Sequence, residues 1–252
     1  MRNPMLRRLG VAAVLAAVLV LCGCETRSIS DSGYRGPQVA MSNMAYRGEL
    51  SQFDVLGIDT AAPATDQDIA LQLESHRKIV VRKGAALLVV QSGAPLPDDS
   101  AIRALEREFS VVPFSGIPGG PAAAPAGVAA PRGADYARAL RLTAAKAGAE
   151  TILCYWGTIE TLQDRAATKA ISWVPLVGAV VPDEEQHMRI RLQVAVIDVR
   201  SGSWSMFAPE ASVDSALSAS LHREASDQSQ VALLKEKAYK AAAEALVARY
   251  AS

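Results

Sequence analysis

The chain is short of several things that would announce a chemistry. It has three cysteines and three histidines in 252 residues, and its 26 basic residues balance 26 acidic ones. The histidines, His76, His187 and His222, are too scattered to suggest a metal-ligand cluster. No run of Lys and Arg marks a nucleic-acid surface, and a zero net charge gives no field to gather a polyanion. A phosphate-binding glycine loop is missing, because Gly116-Ile-Pro-Gly-Gly120 has no Lys-Ser or Lys-Thr after it. A nucleophile elbow is missing too. The apolar run from Leu9 to Leu21 would reach roughly 20 Å as a helix. A bilayer core of roughly 30 Å asks for more, so this run suits the hydrophobic region of a signal peptide and not a spanning anchor.

What is present at the start is more specific. Arg2, Arg7 and Arg8 give a positive region before the apolar run. Leu21-Cys22-Gly23-Cys24 then resembles the bacterial lipobox, a Leu and two small residues read together with a Cys. That resemblance implies cleavage between Gly23 and Cys24 and a diacylglycerol on the Cys24 thiol. Residues 1–23 are thus expected to be a lipoprotein signal peptide. The mature chain keeps 229 residues, 23 basic and 26 acidic, with a net charge of −3. Cys22 leaves with the signal and Cys24 carries lipid, so Cys154 stands alone and has no partner for an intramolecular disulfide. Its surroundings, Thr151-Ile-Leu-Cys-Tyr-Trp156, read as a buried strand, with the thiol acting as a small hydrophobe.

Residues 24–47 are polar, hold Gly33, Gly36 and Pro37, and read as a lipidated tether. A single α/β domain is expected over 48–252, with a Pro/Gly/Ala-rich insert at about 115–133. Its first strand is expected within Glu49 to Asp59, and a short helix follows Thr65. Lys78 to Ser92 offers two extended pieces separated by Gly84; the second, Ala85 to Val90, reads as a buried central strand. Ile102, Leu105 and Phe109 lie at helical spacing, and Val111 to Phe114 suggests a short edge strand. Asp135 to Gly148 reads as a helix and Thr151 to Thr161 as a strand. Met188 to Val199 alternates apolar with polar residues, Arg200 to Ser203 makes a hairpin turn, and Trp204 to Val213 returns as one strand. A long final helix begins near Ser226-Asp227. The fold class expected is α/β (α+β): a mixed sheet with helices packed on it and a long C-terminal helix.

Three stretches within about 130–250 carry a second resemblance: Gly133-Ala-Asp-Tyr136, Ala147 to Leu153, and Val194 to Trp204 before the terminal helix. This pattern resembles a group of envelope lipoproteins and related domains. The group includes the curli secretion lipoprotein, the lipoprotein activators of penicillin-binding proteins and the amino-terminal domain of the translocation protein TolB. The resemblance implies a non-enzymatic envelope protein that works by contacting other proteins. The chain departs from the pore-forming member, because it lacks two well-patterned membrane hairpins of about ten alternating residues each.

Candidate chemistry is sparse. Asp183-Glu-Glu-Gln-His187 gathers carboxylates and an imidazole but has no metal-loop spacing, so it reads as a solvated turn. Ser75-His-Arg-Lys78 matches the Ser-x-x-Lys spacing of some acyl enzymes without a companion motif. Neither supports a catalytic residue, a metal or a cofactor. Ile171 to Val181 is strongly apolar yet broken by Pro175 and Gly178, and is expected to interrupt a hairpin between Thr161 and Met188. It reads either as core cover or as a contact loop built on Trp173, Pro175, Leu176 and Val177. The function expected is a membrane-anchored envelope module for protein contact or assembly, facing the periplasm. Its partner would be an envelope protein or a second copy, not a nucleic acid. The alternative is an envelope hydrolase with an unrecognised site. Glu25 after the lipidated Cys, in place of Asp, resembles an outer-membrane sorting signal.

Overall fold

The computed structural model describes residues 24–31, 46–59, 63–75, 78–118, 133–165, 184–218 and 223–252. The signal sequence, the greater part of the Pro/Gly/Ala-rich insert and the 171–181 loop lie outside the described residues. The described elements are β1 Cys24–Ser28, a 3-10 turn Ile29–Asp31, α1 Gln52–Leu56, α2 Asp66–Ser75, β2 Ala86–Gln91, α3 Asp99–Leu105 and β3 Ser110–Phe114. Then come α4 Gly133–Lys146, β4 Thr151–Arg165, β5 Glu184–Asp198, β6 Trp204–Phe207, β7 Ser212–Ser218 and α5 Arg223–Tyr250. This is the expected α/β class, a mixed sheet closed by a long C-terminal helix.

The long hairpin of β4 and β5, 15 residues in each strand, is the spine. It pairs without a break from Thr151↔Asp198 to Arg165↔Glu184. Shorter strands flank its two halves. Along the near half, β2 pairs parallel with β4 at residues 151–155, and β3 pairs parallel with β2. On the other side, β6 pairs with Val194–Ile197 of β5. Along the far half, β1 pairs antiparallel with β4, from Cys24↔Leu162 to Ser28↔Thr158, and β7 pairs with β5 from Glu184 to Ile190. Pro113 sits on β3, an edge strand, where a missing N–H costs no interior ladder bond.

Helices cover the near half on both faces. On one face, α3 and α5 pack over Leu87, Val89, Leu153, Tyr155, Val194 and Val196. On the other, α1 and α4 pack over Leu88, Val90, Ile152, Cys154, Ala195 and Ile197. In the far half, Ile159, Met188, Ile190 and Leu192 join the α5 core, while Thr158, Arg191 and Gln193 on the opposite face are exposed. α5 is 28 residues long, about 42 Å as a helix. It starts after β7 at the far end and finishes at the near end, where Ala251 bridges Val81.

The structure corrects five expectations. The strand expected in 49–59 is the short helix α1; Leu50, Phe53, Val55 and Ile58 are spaced for a turn, and Gly57 closes it in the left-handed conformation at φ 71°. The return strand expected over 204–213 is two strands, because the chain leaves β5 around Pro209, which has no N–H to donate. Residues 184–187, expected in a solvated turn, have strand backbone in β5, and β4 continues to Arg165 past the expected end at Thr161. Finally, the first residues of the expected tether belong to the sheet. β1 runs along β4, and Ile29 is 1% exposed in the core. One aliphatic residue in a polar stretch is enough when a strand edge lies beside it.

Candidate functional site

In sheets covered on both faces, ligands gather at the carboxyl ends of the strands where successive connections leave for opposite faces. Here β2 connects to β3 through α3 on one face, and β3 connects to β4 through α4 on the other. The crevice should therefore open beyond Gln91, the end of β2. The chain itself fills that position. Ser30 Oγ donates to Ser92 O at 2.5 Å and accepts from Gln91 Nε2 at 3.1 Å. Leu50 N–H donates to Ser92 Oγ at 2.7 Å, and Trp156 Nε1 donates to Leu50 O at 2.8 Å. Ser28 Oγ donates to Glu49 Oε1, joining the two filling segments. A Cβ at Gly116 would stand 1.8 Å from Gln91 O, so the loop after β3 also closes tightly on this end.

A polar network continues from the filled crevice under α5. Gln91 Oε1 accepts from Tyr155 OH at 2.7 Å and from Asp98 N–H at 2.8 Å. Asp98 Oδ2 accepts from Lys235 Nζ at 2.9 Å and Tyr239 OH at 2.5 Å. Tyr155 and Tyr239 meet edge to face at 5.6 Å. Burial, and after it the Asp98 charge, push both phenols well above their ordinary range, so both hold their protons as donors. These groups satisfy one another and tie α3, α5 and β4 together.

The open surface lies on the uncovered face of the far half. Among the described residues, β6 pairing ends at Val194 and β7 pairing starts at Ile190, leaving Arg191–Gln193 of β5 without a strand on that side. A cavity of about 480 Å³ opens at this notch, lined by Trp156, Thr158, Arg191, Gln193, Met206 and Phe207 among others. Beside it, Arg189 Nε donates to Glu160 Oε2 at 2.8 Å, and Arg191 Nε lies 3.2 Å from Glu160 Oε1. Sequence reading missed this notch, because it is set by where β6 and β7 stop along β5. The signal available was Pro209 inside an otherwise strand-like stretch.

Cys24 is the first residue of β1, opposite Leu162. Gly23, and Trp173, Pro175, Leu176 and Val177 of the candidate contact loop, lie outside the described residues. The hairpin expected to flank that loop is present as β4 and β5. Cys154 is fully buried, and burial pushes its thiol far up, which makes it a poor nucleophile. Ser75 Oγ donates to Gln72 O on the exposed helix α2, and Lys78 lies outside that helix. Among the described residues no group of three or more His, Cys, Asp or Glu is placed to hold a metal. No helix among them is long and apolar enough to cross a membrane.

The family model of the YafT bacterial lipoproteins matches residues 51–249. This chain belongs to that family. The match covers the domain from α1 into the last turn of α5 and supports the expectation of a bacterial lipoprotein held to a membrane by lipid. No curated protein matches the chain.

Proposed function

We propose that the chain is a lipid-anchored module of the bacterial envelope that acts through protein contact and not through catalysis. Cleavage after Gly23 frees Cys24 for lipid, and Glu25 directs the protein to the periplasmic face of the outer membrane. Its partner is an envelope protein or another copy of itself. The observation that carries this reading is the filled crevice. The end of β2, where an α/β sheet of this connectivity would receive a small ligand, is occupied by Ser28–Asp31 and Leu50. Surface offered for contact is ample by comparison: the notch at Arg191–Gln193 is open, and Ile69, Leu71 and Leu73 of α2 are all more than half exposed. The likeness of about 130–250 to the curli-secretion, penicillin-binding-protein-activator and TolB group points the same way.

Recovery of the intact lipoprotein from membranes after in-cell crosslinking, with partners identified by mass, tests the contact role. A reproducible envelope partner or a crosslinked dimer is expected. Turnover of an envelope substrate by the purified domain would refute it. The anchor is tested separately: Cys24→Ala should abolish incorporation of labelled palmitate and release the protein from membranes.

A further inference from the structure

We infer that the far end of the β4–β5 hairpin is the face of the domain that rests on the lipid headgroups. This rests on Cys24 being the lipidated residue. A lipoprotein with a free tether can sit at any angle to its membrane. Here Cys24 is itself the first residue of β1, in register with Leu162, so no spacer separates the lipid from the folded sheet. β1 then runs away from that end toward Ile29, which is locked in the core. The acyl chains therefore leave from a fixed position on the sheet.

That position lies close to one end of the described sheet. Only residues 163–165 of β4 lie beyond Leu162, roughly 10 Å of strand at about 3.3 Å per residue. In the other direction, Thr151 lies roughly 36 Å away along the same strand. The headgroup layer on each side of a bilayer is about 5–8 Å thick. An anchor at Cys24 thus keeps residues 163–165 and 184–186, with the end of β7 paired beside them, within roughly 10 Å of the lipid attachment and in reach of the headgroups. The turn at 199–203 and the end of α5 are held far from it. The chain leaves the sheet at Arg165 and returns to it at Glu184 on this side.

The test uses the full lipidated protein in phosphatidylethanolamine–phosphatidylglycerol vesicles that carry a headgroup nitroxide lipid. A fluorophore is placed on single cysteines: Asp164→Cys and Gln186→Cys at the anchored end, Lys83→Cys and Ser201→Cys at the other. Labelled palmitate on Cys24 is measured in the same samples. Lipidated protein with positions 164 and 186 quenched several-fold more than 83 and 201 supports the orientation. Lipidated protein with all four quenched alike, or with 83 and 201 quenched more, overturns the orientation and leaves the anchor standing. Protein without palmitate on Cys24 overturns both. Two sites on different strands guard against one substitution disturbing the hairpin.

Discussion

The near and far halves of one hairpin live in different surroundings, and the difference can be read residue by residue. From Thr151 to Gly157 every residue of β4 is buried, as is every residue of β5 from Val194 to Ile197. Beyond those points burial alternates: Thr158 is exposed, Ile159 buried, Glu160 intermediate and Thr161 buried. Met188 to Gln193 alternates in the same way. A sheet packed on both faces needs continuous apolar strands, and a sheet packed on one face needs alternation. The same two strands satisfy both demands in turn. The near half is a doubly covered α/β sheet. Among the described residues, the far half is an antiparallel sheet with α5 on one side and exposed Thr158, Arg191 and Gln193 on the other. Stability is concentrated in the first, and the exposed face and Cys24 belong to the second.

The largest effect should come from the doubly covered half. Leu88→Ala opens a void in a strand with neighbours on every side and should cost about 4 kcal/mol in urea denaturation. A loss near 1 kcal/mol would mean that α1 and α4 collapse easily onto the sheet, weakening the contrast. Asp98→Ala removes the carboxylate facing Lys235, whose side chain is only 6% exposed, and should cost about 3 kcal/mol. Adding Lys235→Met should recover part of that loss. If the double variant is worse than Asp98→Ala alone, the network does not work as a charge pair.

Deleting residues 24–45 from the soluble domain removes β1 and the buried Ile29, and should cost about 2 kcal/mol. An unchanged midpoint would restore the free tether that the sequence suggests. High pH provides a smaller, graded test in the near half. Burial pushes the Tyr136 phenol up to about 12, and Tyr155 and Tyr239 are also raised. The folded state therefore holds these protons more tightly than the unfolded chain does. Their contribution is intact below pH about 10, the ordinary phenol value, and is lost as pH rises through the folded values. Ultraviolet titration should show these phenols ionising only as the fold is lost. The smallest effect belongs to this face: Glu160→Ala breaks half-buried pairs with Arg189 and Arg191 and should change stability by about 1 kcal/mol or less.

The contrast was legible only in part. Thr151 to Trp156 reads as an apolar string and is buried on both faces, but Met188 to Val199 reads as alternating throughout, whereas alternation stops at Gln193 and Val194 to Ile197 are all buried. The central strand in Ala85 to Val90, the helix ending at Gly148 and the turn at Arg200 to Ser203 were legible for local reasons. The filled crevice was not legible. It depends on Ser30, Leu50 and Ser92 meeting across long separations, and hydroxyls in polar stretches carry no mark of their partners. β1 was hidden for a related reason: Cys24 to Ser28 has no strand-like alternation and is ordered by the exposed edge of β4. The notch was hidden because strand length, not residue type, creates it.

Amide hydrogen exchange on the purified domain carrying Cys24→Ser tests the two-halves account most directly. Amides of Ile152 to Trp156 and Val194 to Ile197 should exchange only through global unfolding, with protection that tracks the urea-derived stability. Those from Thr158 to Thr161 and from Met188 to Leu192 should exchange through a smaller opening that leaves the near half closed. Equal protection along the whole hairpin, falling together in urea, would contradict it.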